Sequence, residues 1–126
     1  MLESAIQLRR RGRFPEAVKL LKASLQRIPD QAAVCWYLGS IYLHDLNQAE
    51  QALPLYRRAT RSAPKSQRAS LGLFHALWAL DRRREAMKEL GRFQAIAHCD
   101  DYATILAEVQ KKAPELLGKT VKPKAS

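Results

Sequence analysis

The chain has 126 residues, of which 47% are hydrophobic and 27% charged, a composition that supports one packed core and excludes a wholly disordered chain. The longest stretch without a charge, QAAVCWYLGSIYLH (31–44), is too short for a membrane span, and no apolar segment with a small-residue cleavage site opens the chain. A protein with no membrane span and no secretory signal, cytoplasmic in location, is therefore expected, and its net charge of +10 should draw anionic partners.

Taken in chain order, the periodicity predicts seven helices, over about 2–11, 15–28, 32–44, 48–62, 66–80, 83–97 and 101–113. The first meets a break at RGRFPEA (11–17). There Gly12 suits a tight turn, Phe14 can pack in the crease between two helices, and Pro15 suits the first turn of the next helix. Related stretches recur as LNQAEQA (46–52) and DRRREA (81–86). Aligning them on Ala17, Ala52 and Ala86, 35 and 34 residues apart, brings further positions into line. Four residues on are Leu21, Tyr56 and Leu90; seven on are Ser24, Ala59 and Phe93; twelve on are Pro29, Pro64 and His98. Offsets of four and seven lie on one helical face, and the prolines end their helices. Going backwards, Leu8 and Leu77 lie nine residues before their alanines and Tyr42 ten, so the second repeat carries one extra residue, expected in its turn around Leu46–Ala49.

These positions resemble the tetratricopeptide repeat (TPR) family. The matching residues are Ala5, Leu8, Gly12, Phe14, Ala17, Leu21, Ser24 and Pro29, then Leu38, Gly39, Tyr42, Ala52, Tyr56, Ala59 and Pro64, then Leu73, Leu77, Ala86 and Leu90. The third repeat departs from the pattern, with Phe74 where a small residue is usual and Asp81 for the turn glycine. The resemblance implies an all-α fold: a TPR-like right-handed superhelix of three antiparallel helix pairs plus a C-terminal capping helix. The expected domain covers 1–117, with repeats at about 1–31, 32–66 and 67–99 and the capping helix at about 101–113, followed by a basic flexible tail, 118–126.

In such arrays the first helix of each pair lines a concave groove that binds peptides or helices. In the second repeat Cys35, Leu38, Gly39 and Tyr42 are expected to face the core, leaving Trp36, Tyr37, Ser40, Leu43 and His44 toward the groove. The corresponding face of the first repeat offers Leu2, Ile6, Arg9 and Arg10, and that of the third Arg68, Leu71, Gly72, His75 and Trp78. The candidate partner-binding set is therefore Arg9, Arg10, Trp36, Tyr37, Ser40, Leu43, His44, Arg68, Leu71, His75 and Trp78, an aromatic floor with an arginine rim. A chaperone-type carboxylate clamp is not expected, because only Arg68 fits one.

No phosphate loop, nucleophile elbow, zinc-protease motif or paired-Cys motif is present, so no catalytic residue is assigned. His98-Cys99-Asp100-Asp101 lacks metal-ligand spacing, and Cys35 and Cys99 read as free thiols, so neither a metal nor a cofactor is expected. Basic residues cluster at 9–13, 57–68, 82–92 and 111–124, mostly on second helices, turns and the tail, whereas the aromatics lie on first helices. That separation disfavours nucleic acid, which wants the two interleaved. The expected role is a non-catalytic module binding a protein with an acidic or amphipathic segment. A dedicated bacterial partner protein, either a secretion chaperone or a toxin-immunity protein, is one form of it. The alternatives are a nucleic-acid-associated basic adaptor and a general scaffold subunit, and self-association through the open end of the array is also allowed.

Overall fold

The computed structural model describes residues 2–96 and 101–112, without the side chains of 101–103. These residues form α1 (Leu2–Arg10), α2 (Phe14–Arg27), α3 (Ala32–Ser40), α4 (Ala49–Ser62), α5 (Gln67–Ala79), α6 (Arg83–Ile96) and α7 (Asp101–Lys112). A π-helical turn, Ile41–Asp45, prolongs α3. The architecture is the expected all-α array of three antiparallel helix pairs with a closing helix. The tail 118–126 and the stretch carrying His98 and Cys99 lie outside the described residues.

Each hairpin turns on one residue with left-handed backbone, five positions before its alanine: Gly12 (φ 75°), Asn47 (φ 53°) and Asp81 (φ 60°). Glycine adopts this conformation freely, and Asn and Asp are the side chains that tolerate it best. In the first and third hairpins the next N–H closes back on the helix, Arg13 donating to the Leu8 carbonyl and Arg82 to that of Leu77, both at 2.9 Å. In the second, Gln48 N–H reaches the Tyr42 carbonyl at 2.7 Å, one residue further back. The extra residue therefore does not sit in the turn around Leu46–Ala49 as expected. It is taken up in the helix, where Leu46 N–H donates to the Ile41 carbonyl at 3.0 Å in the wider i→i+5 pattern. The left-handed turn cannot take an added residue without losing its geometry, whereas a helix absorbs one by widening a single turn.

The alanine ladder forms the core. Ala17, Ala52 and Ala86 are fully buried, as are Leu21 and Leu90, and Tyr56, Ala59, Ser24 and Phe93 are buried with them. Phe14 packs half-buried against this core, and Pro15 lies in the first turn of α2. Six residues after their alanines, Arg58 and Arg92 make the same bond in successive repeats. Arg58 donates to the Pro29 carbonyl at 2.6 Å and Arg92 to the Pro64 carbonyl at 2.7 Å, so each second helix is tied to the loop before its repeat. Arg92 also holds Glu89, whose Oε2 accepts from the buried Ser70 hydroxyl at 2.6 Å.

Tyr56 is the wedge between α3 and α5. A Cβ added at Gly39 would lie 3.3 Å from its ring, and one added at Gly72 only 2.3 Å away. Gly72 was expected on the groove face; it is buried against Tyr56 instead, because α5 can rest on α4 only where it lacks a side chain. Among the described residues no helix is long and apolar enough to cross a membrane.

Candidate functional site

The first helices of the pairs, α1, α3 and α5, converge on a cavity of about 460 Å³. Leu2 and Ile6 of α1 and Ala32 and Ala33 of α3 form its apolar wall, with Trp36 and Tyr37 beside them. Arg68 and Ala69, in the first turn of α5, complete it, and the Ser66 hydroxyl caps that helix by accepting the Ala69 N–H at 3.1 Å. The lining contains no acidic residue.

Trp36 and Tyr37 are half-buried, with ring centroids 6.1 Å apart and planes tilted by 46°. Each ring carries a guanidinium, Arg68 over Trp36 at 4.8 Å and Arg9 over Tyr37 at 5.0 Å. The two arginines otherwise differ. Arg68 is exposed and pairs with no carboxylate among the described residues. Arg9 donates through Nε to Asp45 Oδ2 at 2.5 Å and through Nη2 to Ser40 Oγ at 3.3 Å. Burial acts to lower the Arg9 pKa, and its hydrogen bonds to Asp45 and Tyr37 more than reverse this, so the guanidinium is held more firmly charged than usual. The Tyr56 hydroxyl continues the polar thread: burial pushes it up to about 12, opposed by its hydrogen bond with Ser40.

A second cluster lies further along the array. His44, in the π turn, faces His75 of α5 edge-on at 6.4 Å; His75 is 5.4 Å from Phe74, and Phe74 stacks on Trp78 at 5.8 Å. Helix α7 covers this cluster: Phe74, His75 and Trp78 share a void of about 20 Å³ with Ile105, Glu108 and Val109. That is room for about one water molecule. Arg83 lies over Trp78 at 5.0 Å. Burial, then the neighbouring His44, lowers the His75 pKa, and Glu108 acts in the opposite direction.

The expected set is therefore divided. Trp36, Tyr37 and Arg68 line the open cavity with Arg9 behind Tyr37, whereas His75 and Trp78 lie under α7 with His44 beside them. Leu43 and Ser40, expected to face the groove, are buried: Leu43 lies within the π turn, and Ser40, the last residue of α3, accepts from Arg9. Leu71 is half-buried against the core, and Arg10 is exposed. Two contributions went unread in the sequence. The alanines Ala32 and Ala33 make the cavity by what they lack, and Asp45 pairs with Arg9 from the end of the π turn. The one usable sign of the latter was the extra residue between Tyr42 and Asn47. Cys35 is a free, buried thiol, and no group of three or more His, Cys, Asp or Glu among the described residues is placed to hold a metal.

A family model for the tetratricopeptide repeat matches residues 43–109, more than half of the chain and running from the π turn into α7. No curated protein matches the chain. TPR repeats generally mediate protein–protein interaction, which agrees with a groove that holds aromatic walls. With its three helix hairpins and this match, the chain belongs to the tetratricopeptide repeat family.

Proposed function

We infer that this protein binds another protein without chemistry, by taking an apolar side chain of the partner into the Trp36–Tyr37 cavity. The observation that carries this is the cavity itself: a recess of about 460 Å³ on the first-helix side, with two aromatic walls, no acidic lining and an exposed arginine at its rim. Full burial of one large apolar side chain there is worth about 1.5–3 kcal/mol, enough to make it the anchor of an interface. The partner segment is acidic or amphipathic, to suit the arginine rim and the net charge of +10. The partner would be a dedicated one, with this protein chaperone-like or immunity-like, and the neighbouring genes would separate those two roles.

Nucleic-acid binding is less well supported. Several basic side chains of the second helices are already engaged within the protein: Arg57 with Glu85 at 3.2 Å, Arg92 with Glu89 at 2.6 Å and Arg58 with the Pro29 carbonyl. The aromatic rings of the cavity lie on the first helices instead.

The test is capture from nuclease-treated lysate of the native host, followed by titration of the retained protein against wild type and Tyr37→Ala. The substitution should weaken binding by about 1–3 kcal/mol and leave the helical content intact. Unchanged affinity would move the binding site to the convex face.

A further inference from the structure

Arg9 and Arg68 make matching contacts, each a cation over one aromatic ring of the cavity. Their surroundings assign them different work. Asp45 is 36 residues from Arg9 in sequence and meets it from the last residue of the π turn that prolongs α3. Side chains of both partners are about one-fifth exposed, at 22% and 20%, so the pair is shielded from much of the solvent that weakens surface ion pairs. Ser40 Oγ takes a second guanidinium N–H, which fixes the plane of Arg9 against Tyr37. Single π turns inside helices occur often at functional sites. Here the inserted residue leaves the left-handed turn at Asn47 unchanged, and the structural gain at the cavity is the carboxylate on Arg9.

Resting on the groove function inferred above, we propose that Asp45 withdraws the charge of Arg9 from partner recognition and turns Arg9 into a positioning residue for Tyr37. Arg68 is then the cation that reads the partner. The occupant is a peptide segment whose apolar side chain enters the cavity while its carboxylate pairs with Arg68, on the α5 side of the anchor and away from α1. Charge complementarity sets this direction: the cavity lining has no carboxylate of its own, and Arg68 is exposed and carries no ion pair among the described residues. One arginine thus sets the register of the segment, and the other sets the shape of the wall.

Short random peptides displayed on phage would be selected on the immobilised full-length protein, and the best clone measured as a free fluorescent peptide. Ala33→Trp, at an exposed position in the cavity wall, serves as the plug. Loss of binding in the plug, a loss of about fivefold or more in Arg68→Glu, and recovery there when the peptide's acid becomes Lys are the expected results. Asp45→Asn keeps an acceptor for Arg9 but removes the charge, so it should steepen the salt dependence of binding rather than abolish it. If Arg9→Glu, not Arg68→Glu, is the variant rescued by the Lys peptide, or if Asp45→Asn leaves the salt dependence unchanged, the division of labour is wrong while the groove function stands. If no peptide is selected, or the plug binds as well as wild type, the groove function fails and this inference with it.

Discussion

The two ends of the first-helix face start from similar material and finish differently. Near α1, Trp36 and Tyr37 flank an open cavity; near α7, Phe74 and Trp78 stack on each other beneath Ile105 and Val109. Neither aromatic content nor helix face separates them. What differs is the neighbour. The first pair shares an open recess with Leu2 and Ile6 of α1 and the small residues Ala32, Ala33 and Ala69, whereas at the second pair Ile105 and Val109 of a further helix leave room for about one water molecule. In a stacked array an aromatic on a first helix becomes floor or core according to what the next element supplies, so the usable groove is shorter than its aromatic content suggests.

The largest test of this contrast is at the wedge between the two ends. Gly72→Leu would drive a side chain into the Tyr56 ring, where even a Cβ would lie 2.3 Å away, and should cost about 3 kcal/mol or more in urea unfolding. Gly39→Ala meets the same ring at 3.3 Å and should cost less than about 1 kcal/mol. Equal midpoints for the two variants would show that Tyr56 does not hold α3 and α5 apart as described.

Next in size are the tryptophans themselves. Trp78→Ala removes the ring stacked on Phe74 under α7 and should cost about 3 kcal/mol of stability, with little change in partner affinity beyond that loss. Trp36→Ala should do the reverse, costing less than about 1 kcal/mol of stability and about 2 kcal/mol of binding. Thermal unfolding and titration of the same two variants would decide it. A binding defect confined to Trp78→Ala would mean that α7 leaves its place when the partner arrives.

The parts of this structure that were legible in the sequence are the parts that repeat. Ala17, Ala52 and Ala86 announced the hairpins because burial between two helices demands a small residue at a fixed period, and the positions four and seven residues on are buried with them, whereas Pro29 and Pro64, twelve on, are exposed in the loops. Gly12 announced its turn, and Asp81 stood in the equivalent place with the same left-handed backbone. Illegible were the features that do not repeat. An inserted residue looks the same in sequence whether the turn or the helix takes it up, so the extra residue is expected in the turn around Leu46–Ala49 and the pairing of Asp45 with Arg9 is not foreseen. Gly72 was read as groove because Phe74 occupies the position where the second repeat has Gly39. The cover on Trp78 depends on the side chains of α7, which nothing near residue 78 encodes.

The smallest effect is a pH dependence at the covered end. His75 has its pKa lowered by burial first and by His44 second, so its charged form is less favoured in the folded chain than in the unfolded one. The unfolded chain therefore binds the extra proton as pH falls through the ordinary value of 6.5, and stability should be full above that point and decline below it, toward the depressed folded value. His75→Gln should flatten the decline. His44→Gln should make it shallower, because the neighbour that disfavours the charged form of His75 is gone. Glu108→Gln should make it steeper, because Glu108 of α7 is the group that favours the charged form. The Glu108 variant discriminates best: only if α7 truly lies over His75 does a change on α7 alter the titration of a residue on α5, whereas the open end, with no histidine at its cavity, should show no counterpart.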